Sequence, residues 1–223
     1  MAAARMLSSN IAQRGGRMGI IEILGIAGSL SLIAGWRLYL TILATGTAMH
    51  FGWLPLPEHL ASLKVLAEPW VLGVAAVGTI AEFFADKVAW VDSAWDAIHS
   101  FVRPLGGALL ALALVDASDP AWQVVAFLLG GGGALLSHGA KATTRAVVNA
   151  SPEPFSNIAV SASEDVATGG LLALAIAFPG LAIGIAIVLA LAAVAVIWVL
   201  GRLLCNIRRA LTAAPPAPPL SSD

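Results

Sequence analysis

The stretch "NASPEPFSN", residues 149–157, packs two asparagines, two prolines, two serines and a glutamate into a chain that is 59% hydrophobic. In a soluble protein such a segment is an ordinary solvated turn. Here it lies between apolar runs long enough to cross a bilayer, with His138, Lys141 and Arg145 before it and Glu164 and Asp165 after it. Its reading decides whether the chain is a plain membrane bundle joined by spacers or one with a polar passage through its apolar part.

Working outward, the composition fits a membrane. Of 223 residues only 11% are charged, less than half of the roughly 25% usual in water-soluble domains, and the mean hydropathy is +0.88. No basic domain is present, so nucleic acid is not an expected partner, and the single cysteine excludes a disulfide framework. Apolar runs at 19–51, 70–85, 101–115, 121–136, 158–178 and 181–204 predict an all-α, polytopic transmembrane helical bundle of about six spans, since a span needs about 20 apolar residues. The first run is too long for one straight helix and is interrupted by Gly35-Trp36-Arg37. It reads as one helix with an interfacial extension or as two half-helices.

With six spans, ten of the twelve lysines and arginines fall on one side, leaving Lys64 on the other and Arg37 within the layer. Positive residues stay cytoplasmic, which predicts a multi-pass protein of the cell inner membrane with both termini in the cytoplasm. Seven spans, with Gly35 as a membrane-embedded turn, would instead put the N-terminus outside. Residues 1–18 and the proline-rich segment 206–223 read as disordered tails around a transmembrane domain at 19–205. "GGALLALALV" and "GGLLALAIAF", each following a polar inner block, hint at a weak internal repeat of a helical hairpin.

Within the two polar blocks, Glu82 and Asp86 stack on one helix face, where like charges repel, and so require cations. His138, Lys141 and Arg145 share a face at the same depth, and this predicts an inter-helix cluster pairing Glu82 and Asp86 with Lys141 and Arg145. Asp92, Asp96, His99 and Arg103 form the polar stripe of an amphipathic helix lying on the cytoplasmic surface or folded back against the bundle. That spacing could ligate a divalent cation, but a solvated helix face is the better reading, so no metal and no cofactor is expected. Asn149, Glu153 and Asn157 belong to the proline-interrupted connection, with Asn157 suited to cap the next helix. Glu164 and Asp165 then lie about two turns into that span, where ionisable residues are costly and by default functional. An embedded Arg37 needs an acid, and these two are its candidates.

"E-x3-DK-x4-D-x2-WD-x2-H-x3-RP" followed by "SH-x2-K-x3-R-x3-NASPEPFSN-x6-ED" resembles the bacterial and plant membrane family known as domain of unknown function 4126. The resemblance covers roughly residues 20 to 200 and implies a polytopic membrane protein with no established activity. From the residues themselves, the leading expectation is a small transporter or channel-like carrier of a polar or charged solute. Arg37, Glu164, Asp165 and the basic face of the fourth span would form its path. The alternative is a non-transporting protein for lipid handling or partner docking at the cytoplasmic face. No nucleotide loop, catalytic triad or CxxC is present, so an enzyme is not expected. Lipid, a small solute or ion and a second copy of the chain are the compatible partners.

Overall fold

The computed structural model describes residues 20–53, 64–114, 120–149 and 154–212. Within them the chain forms seven helices. These are α1 (Ile20–Trp36), α2 (Leu38–His50), α3 (Pro69–Ala85), α4 (Ala89–Leu114), α5 (Pro120–Val148), α6 (Pro154–Ala177) and α7 (Ala182–Thr212), with a 3-10 turn at Pro179–Leu181. The all-α expectation holds, and no strand occurs among the described residues. Proline opens α3, α5 and α6. Its missing N–H costs nothing there, because the first-turn donors have no intrahelical acceptor.

Helix directions follow from close approaches. Gly25 meets Ile183 and Gly28 meets Ala186, so α1 runs parallel to α7; Leu32 beside Gly133 and Gly35 beside Ser137 make it parallel to α5 as well. Tyr39 lies over Gly78 and Leu72 over Gly46, so α2 runs against α3. α3 in turn starts near Leu66, which packs on the apolar cluster of Ala111, Ala126 and Ala182, and ends where Asp86 meets Lys141. The first apolar stretch is therefore two antiparallel half-helices, and the layout with residues 19–51 as one crossing is corrected. The turn needs a single non-helical residue, Arg37, at φ −139° and ψ 83°. Both flanking helical bonds, Arg37 N to Ile33 O and Thr41 N to Arg37 O, survive at 3.0 Å. Ser137, the level of this apex, lies about 26 Å down α5 at ~1.5 Å per residue, near the far edge of a hydrocarbon layer ~30 Å thick. The helices alternate in direction, so Ile20 and Thr212 lie at opposite ends of the bundle.

Glycines allow the central contacts. A Cβ at Gly130 would strike the Gly107 carbonyl, and one at Gly107 would strike Ala134, so Gly130, the first of the "GGGG" run at 130–133, serves close packing of α4 on α5. Gly169 and Gly170 have open space around them, unlike Gly106 and Gly107, and the hint of a repeated hairpin does not extend to this packing. α7 continues to Thr212, past the expected domain end at 205. Residues 1–18 and 213–223 lie outside the described residues.

Polarity is inverted relative to a soluble protein. Val74, Val77, Leu128, Leu135, Val188, Leu191 and Trp198 are more than half exposed, while the largest fully buried side chains are Arg37, Arg103, Arg145 and Lys141. Helices α5, α6 and α7 are long and apolar enough to cross a membrane. An apolar shell around a polar core suits a hydrocarbon solvent, and the protein is an integral membrane protein.

Candidate functional site: a buried ionic core

The ionic residues come from five places in the fold, and helical spacing aims each set inward. The α1–α2 break supplies Arg37, and the last turn of α3 and the turn after it supply Glu82, Asp86 and Lys87. The first half of α4 carries Asp92, Asp96, His99 and Arg103, each three or four residues after the last, hence on one face. α5 carries His138, Lys141 and Arg145 on one face, and the first turns of α6 carry Asn157, Ser161, Glu164 and Asp165.

Asp86, fully buried, is the hub. It pairs with Arg37, with Lys141 at 3.0 Å and with Arg145 at 3.6 Å. Burial alone would push its carboxyl up, but Lys141 and Arg37 beside it hold it below the usual carboxylate range. Arg37 also reaches Asp165 at 2.9 Å and Glu164 at 3.6 Å, and donates to the Ser161 carbonyl at 3.3 Å. Its expected acidic partners are thus present, with Asp86 added. Arg145 binds Glu164 at 2.8 Å and the Asn157 side-chain oxygen at 2.5 Å.

A second node centres on Arg103, which binds Glu82 at 2.7 Å, Asp96 at 2.9 Å and His138 Nδ1 at 2.6 Å. A guanidinium can only donate, so His138 Nδ1 accepts and the ring is neutral. Its Nε2–H then donates to Ser100 Oγ at 3.0 Å, and the Ser100 hydroxyl donates to the Asp96 carbonyl. His99 stacks on Trp95, its Nδ1–H donates to the Trp95 carbonyl at 2.8 Å, and its Nε2 lies 3.2 Å from the Tyr39 hydroxyl, which can donate or accept. Lys141 links the two nodes, 3.7 Å from Asp96.

The predicted four-residue cluster is therefore half right. Asp86 pairs with Lys141 and Arg145, but Glu82 is bound by Arg103, which reaches it from the helix that follows. The polar stripe of α4 is also corrected. Asp92, Asp96, His99 and Arg103 are buried, with Asp92 and Arg103 at 0% exposure, because α4 is one helix running straight into the bundle and α5 supplies counter-charges for its face. These side chains are not offered to a soluble partner, so the docking alternative loses its expected surface. Asn157 does not cap. α6 begins at Pro154, inside the segment where prolines were expected to bar helix. Asn157 bridges instead, accepting from Arg145 and donating to the Asp86 carbonyl at 3.2 Å. Asn149 donates to Asp92 at 3.0 Å. Glu153 lies outside the described residues.

Sequence reasoning missed Lys87, which donates to Ser161 Oγ at 2.8 Å and lies 3.6 Å from Asp165. It also missed Tyr39 and Ser100; the signal for Tyr39, the only tyrosine, was its place two residues past Arg37. A cavity of about 210 Å³ adjoins the core, lined by Arg37, Leu40, Thr79, Glu82, Phe83 and Asp165. Among the described residues no group of three or more His, Cys, Asp or Glu side chains is arranged to hold a metal ion.

An apolar helical shell closed around an ion-paired core defines a polytopic membrane protein whose interior carries its chemistry. The chain belongs to the family described as Domain of unknown function (DUF4126), whose model matches residues 24–199, a span that contains every ionic residue described above. No curated protein matches the chain, and no solved structure does.

Proposed function

We propose that the protein is a carrier for a small polar solute, and that the α1–α2 break is its moving part. The observation that supports this most is Arg37. It is carried by the one non-helical residue between two antiparallel half-helices, is 2% exposed, and holds acids from the α3–α4 turn and from α6 at once. Broken helices whose ends meet charged groups are the building material of transporter sites, and here the break lies near one edge of the layer. The cavity beside Arg37, Glu82 and Asp165 has about 210 Å³, room for roughly seven waters at ~30 Å³ each or one small solute. Exchange of Asp165 between Arg37 and Lys87, both in reach, would let α6 shift against the break without stranding its charge.

We infer that the ionic end of the bundle faces the cytoplasm of the cell inner membrane, because the exposed Arg202, Arg208 and Arg209 close α7 at that end. The carrier reading is tested by flux into proteoliposomes, with small inorganic ions, amino acids, amines and sugars as the solute panel. Wild-type protein is expected to move at least one class. Asp165→Asn, which keeps volume and removes the charge, is expected to abolish that flux while the folded yield stays unchanged. No flux of any panel member by wild-type protein, or full flux by Asp165→Asn, overturns the reading.

A further inference from the structure

The charges of the core do not balance. Among the described residues its carboxylates are Glu82, Asp86, Asp92, Asp96, Glu164 and Asp165, and its cations are Arg37, Lys87, Arg103, Lys141 and Arg145. His138 is neutral because Arg103 donates to its Nδ1, and His99, buried on Trp95, has a carbonyl and a hydroxyl as hydrogen-bond partners and no carboxylate among the described residues to hold a charge. Six acids against five cations leave one negative charge, and setting aside the partly exposed pair Lys87 and Asp165 leaves the same excess. An uncompensated charge in such a place is expensive, and the group neutralises instead.

Geometry says which acid carries the excess. Five of the six have a cation within 3.0 Å: Glu82 and Asp96 at Arg103, Asp86 at Lys141, Glu164 at Arg145 and Asp165 at Arg37. Asp92 alone does not. Arg145 Nε is 3.9 Å away, beyond a hydrogen bond, and that guanidinium is already engaged by Glu164 and Asn157. Asp86 beside it and Asp96 one turn on add negative field. Just past the end of α5 it receives the neutral Asn149 amide, at 3.0 Å on Oδ2. The residue is 0% exposed, and Oδ1 has no hydrogen-bond partner among the described residues.

We propose that Asp92 is a proton-binding site, holding one proton on its carboxyl at neutral pH and thereby bringing the core to zero net charge. The proton sits on a group at the cytoplasmic-facing end of the core, next to Arg145, which ties α5 to α6 and to the α3–α4 turn. The site does not depend on the carrier reading. If that reading also holds, Asp92 is where a proton enters the transport cycle.

Infrared spectroscopy of the purified protein in phosphatidylcholine vesicles tests this. At neutral pH wild-type protein is expected to show a protonated-carboxyl C=O band that shifts in D2O. Asp92→Asn removes it, and Asp165→Asn leaves it in place. Because Asn mimics the neutral acid, Asp92→Asn is expected to keep the wild-type denaturation midpoint, whereas Asp86→Asn, which strips a partner from three cations, lowers it. Absence of the band in wild-type protein, its survival in Asp92→Asn, or its loss on adding sodium chloride at constant pH overturns the proposal. The last result would make the neutralising ligand a metal cation. A midpoint in Asp92→Asn lowered as far as in Asp86→Asn also overturns it.

Discussion

Replacing Arg103 by methionine removes the partner of two buried acids at once while keeping an unbranched apolar stem. Glu82 is 1% exposed and 2.7 Å from the guanidinium, and Asp96 is 2.9 Å from it. Breaking a buried pair by removing one partner costs on the order of 3–5 kcal/mol, chiefly because a charge is left unpaired. Arg103→Met is therefore expected to lower unfolding free energy by about that much, roughly two to three and a half decades in the folded-to-unfolded ratio at about 1.4 kcal/mol per decade. Glu82→Met in the same chain removes one of the stranded charges. The double variant is expected to recover a coupling energy of about 2–3 kcal/mol, the upper part of the range for residues sharing a network. Lys141→Met combined with Glu82→Met is expected to show a smaller coupling than Arg103 with Glu82, because Lys141 is bound to Asp86 and reaches the Arg103 node only through Asp96 at 3.7 Å. Equilibrium unfolding in mixed detergent and SDS, followed by tryptophan fluorescence, measures all of these, with Trp95 close to the site as a reporter. A coupling below about 0.5 kcal/mol between Arg103 and Glu82, or one between Lys141 and Glu82 that exceeds it, would refute the assigned pairing.

Further outcomes follow from the fold. Cys205 is exposed near the end of α7 and is the only cysteine, so a membrane-impermeant maleimide is expected to label it from the cytoplasmic side alone. His50→Cys in a Cys205→Ser chain is expected to label from the opposite side, and an epitope ahead of Ile20 should be accessible on the His50 side. Finding that epitope on the Cys205 side contradicts the antiparallel α1–α2 arrangement. Gly130→Val puts a side chain into the Gly107 carbonyl and is expected to cost about 1–3 kcal/mol by overpacking. Gly132→Val, with nothing within 4 Å of its added Cβ, should change stability by less than about 0.5 kcal/mol. Arg37→Lys keeps the charge but not the fork that serves Asp86, Asp165 and Ser161 together. A loss of about 1.5–3 kcal/mol is expected from the forfeited charge-assisted hydrogen bonds, measured by the same unfolding assay.

The helical bundle and its membrane setting were legible because a run such as Leu181–Leu204 has only one cheap solution in lipid, a helix with its backbone satisfied internally. The break in the first stretch was visible as "GWR", but its angle was not. Whether a chain kinks or doubles back depends on what receives each half, and the deciding contacts are Gly35 on Ser137 and Gly78 under Tyr39. Those partners lie far along the sequence, and glycines in an apolar chain advertise close packing without saying against what. The start of α6 was misread for a local reason: Pro154 stops a helix that enters it from before but is well suited to open one.

The ionic core was half legible, and the missing half has one cause. Asp92, Asp96, His99 and Arg103 show the spacing of an amphipathic helix, and amphipathic spacing was read as a polar face turned to water. That inference holds when water is the outer solvent. Here the outer solvent is lipid: the apolar stripe with Ile98 and Phe101 is exposed and the polar stripe is buried, so the same period-3.6 pattern carries the opposite sign. Once α4 is turned over, its charges fall opposite those of α5, and Arg103 reaches Glu82 before Lys141 can. The inversion also changes what an unpaired acid means. On a wet surface Asp92 would need no partner; behind α5, with its nearest cation already shared, it must find a counter-charge or a proton.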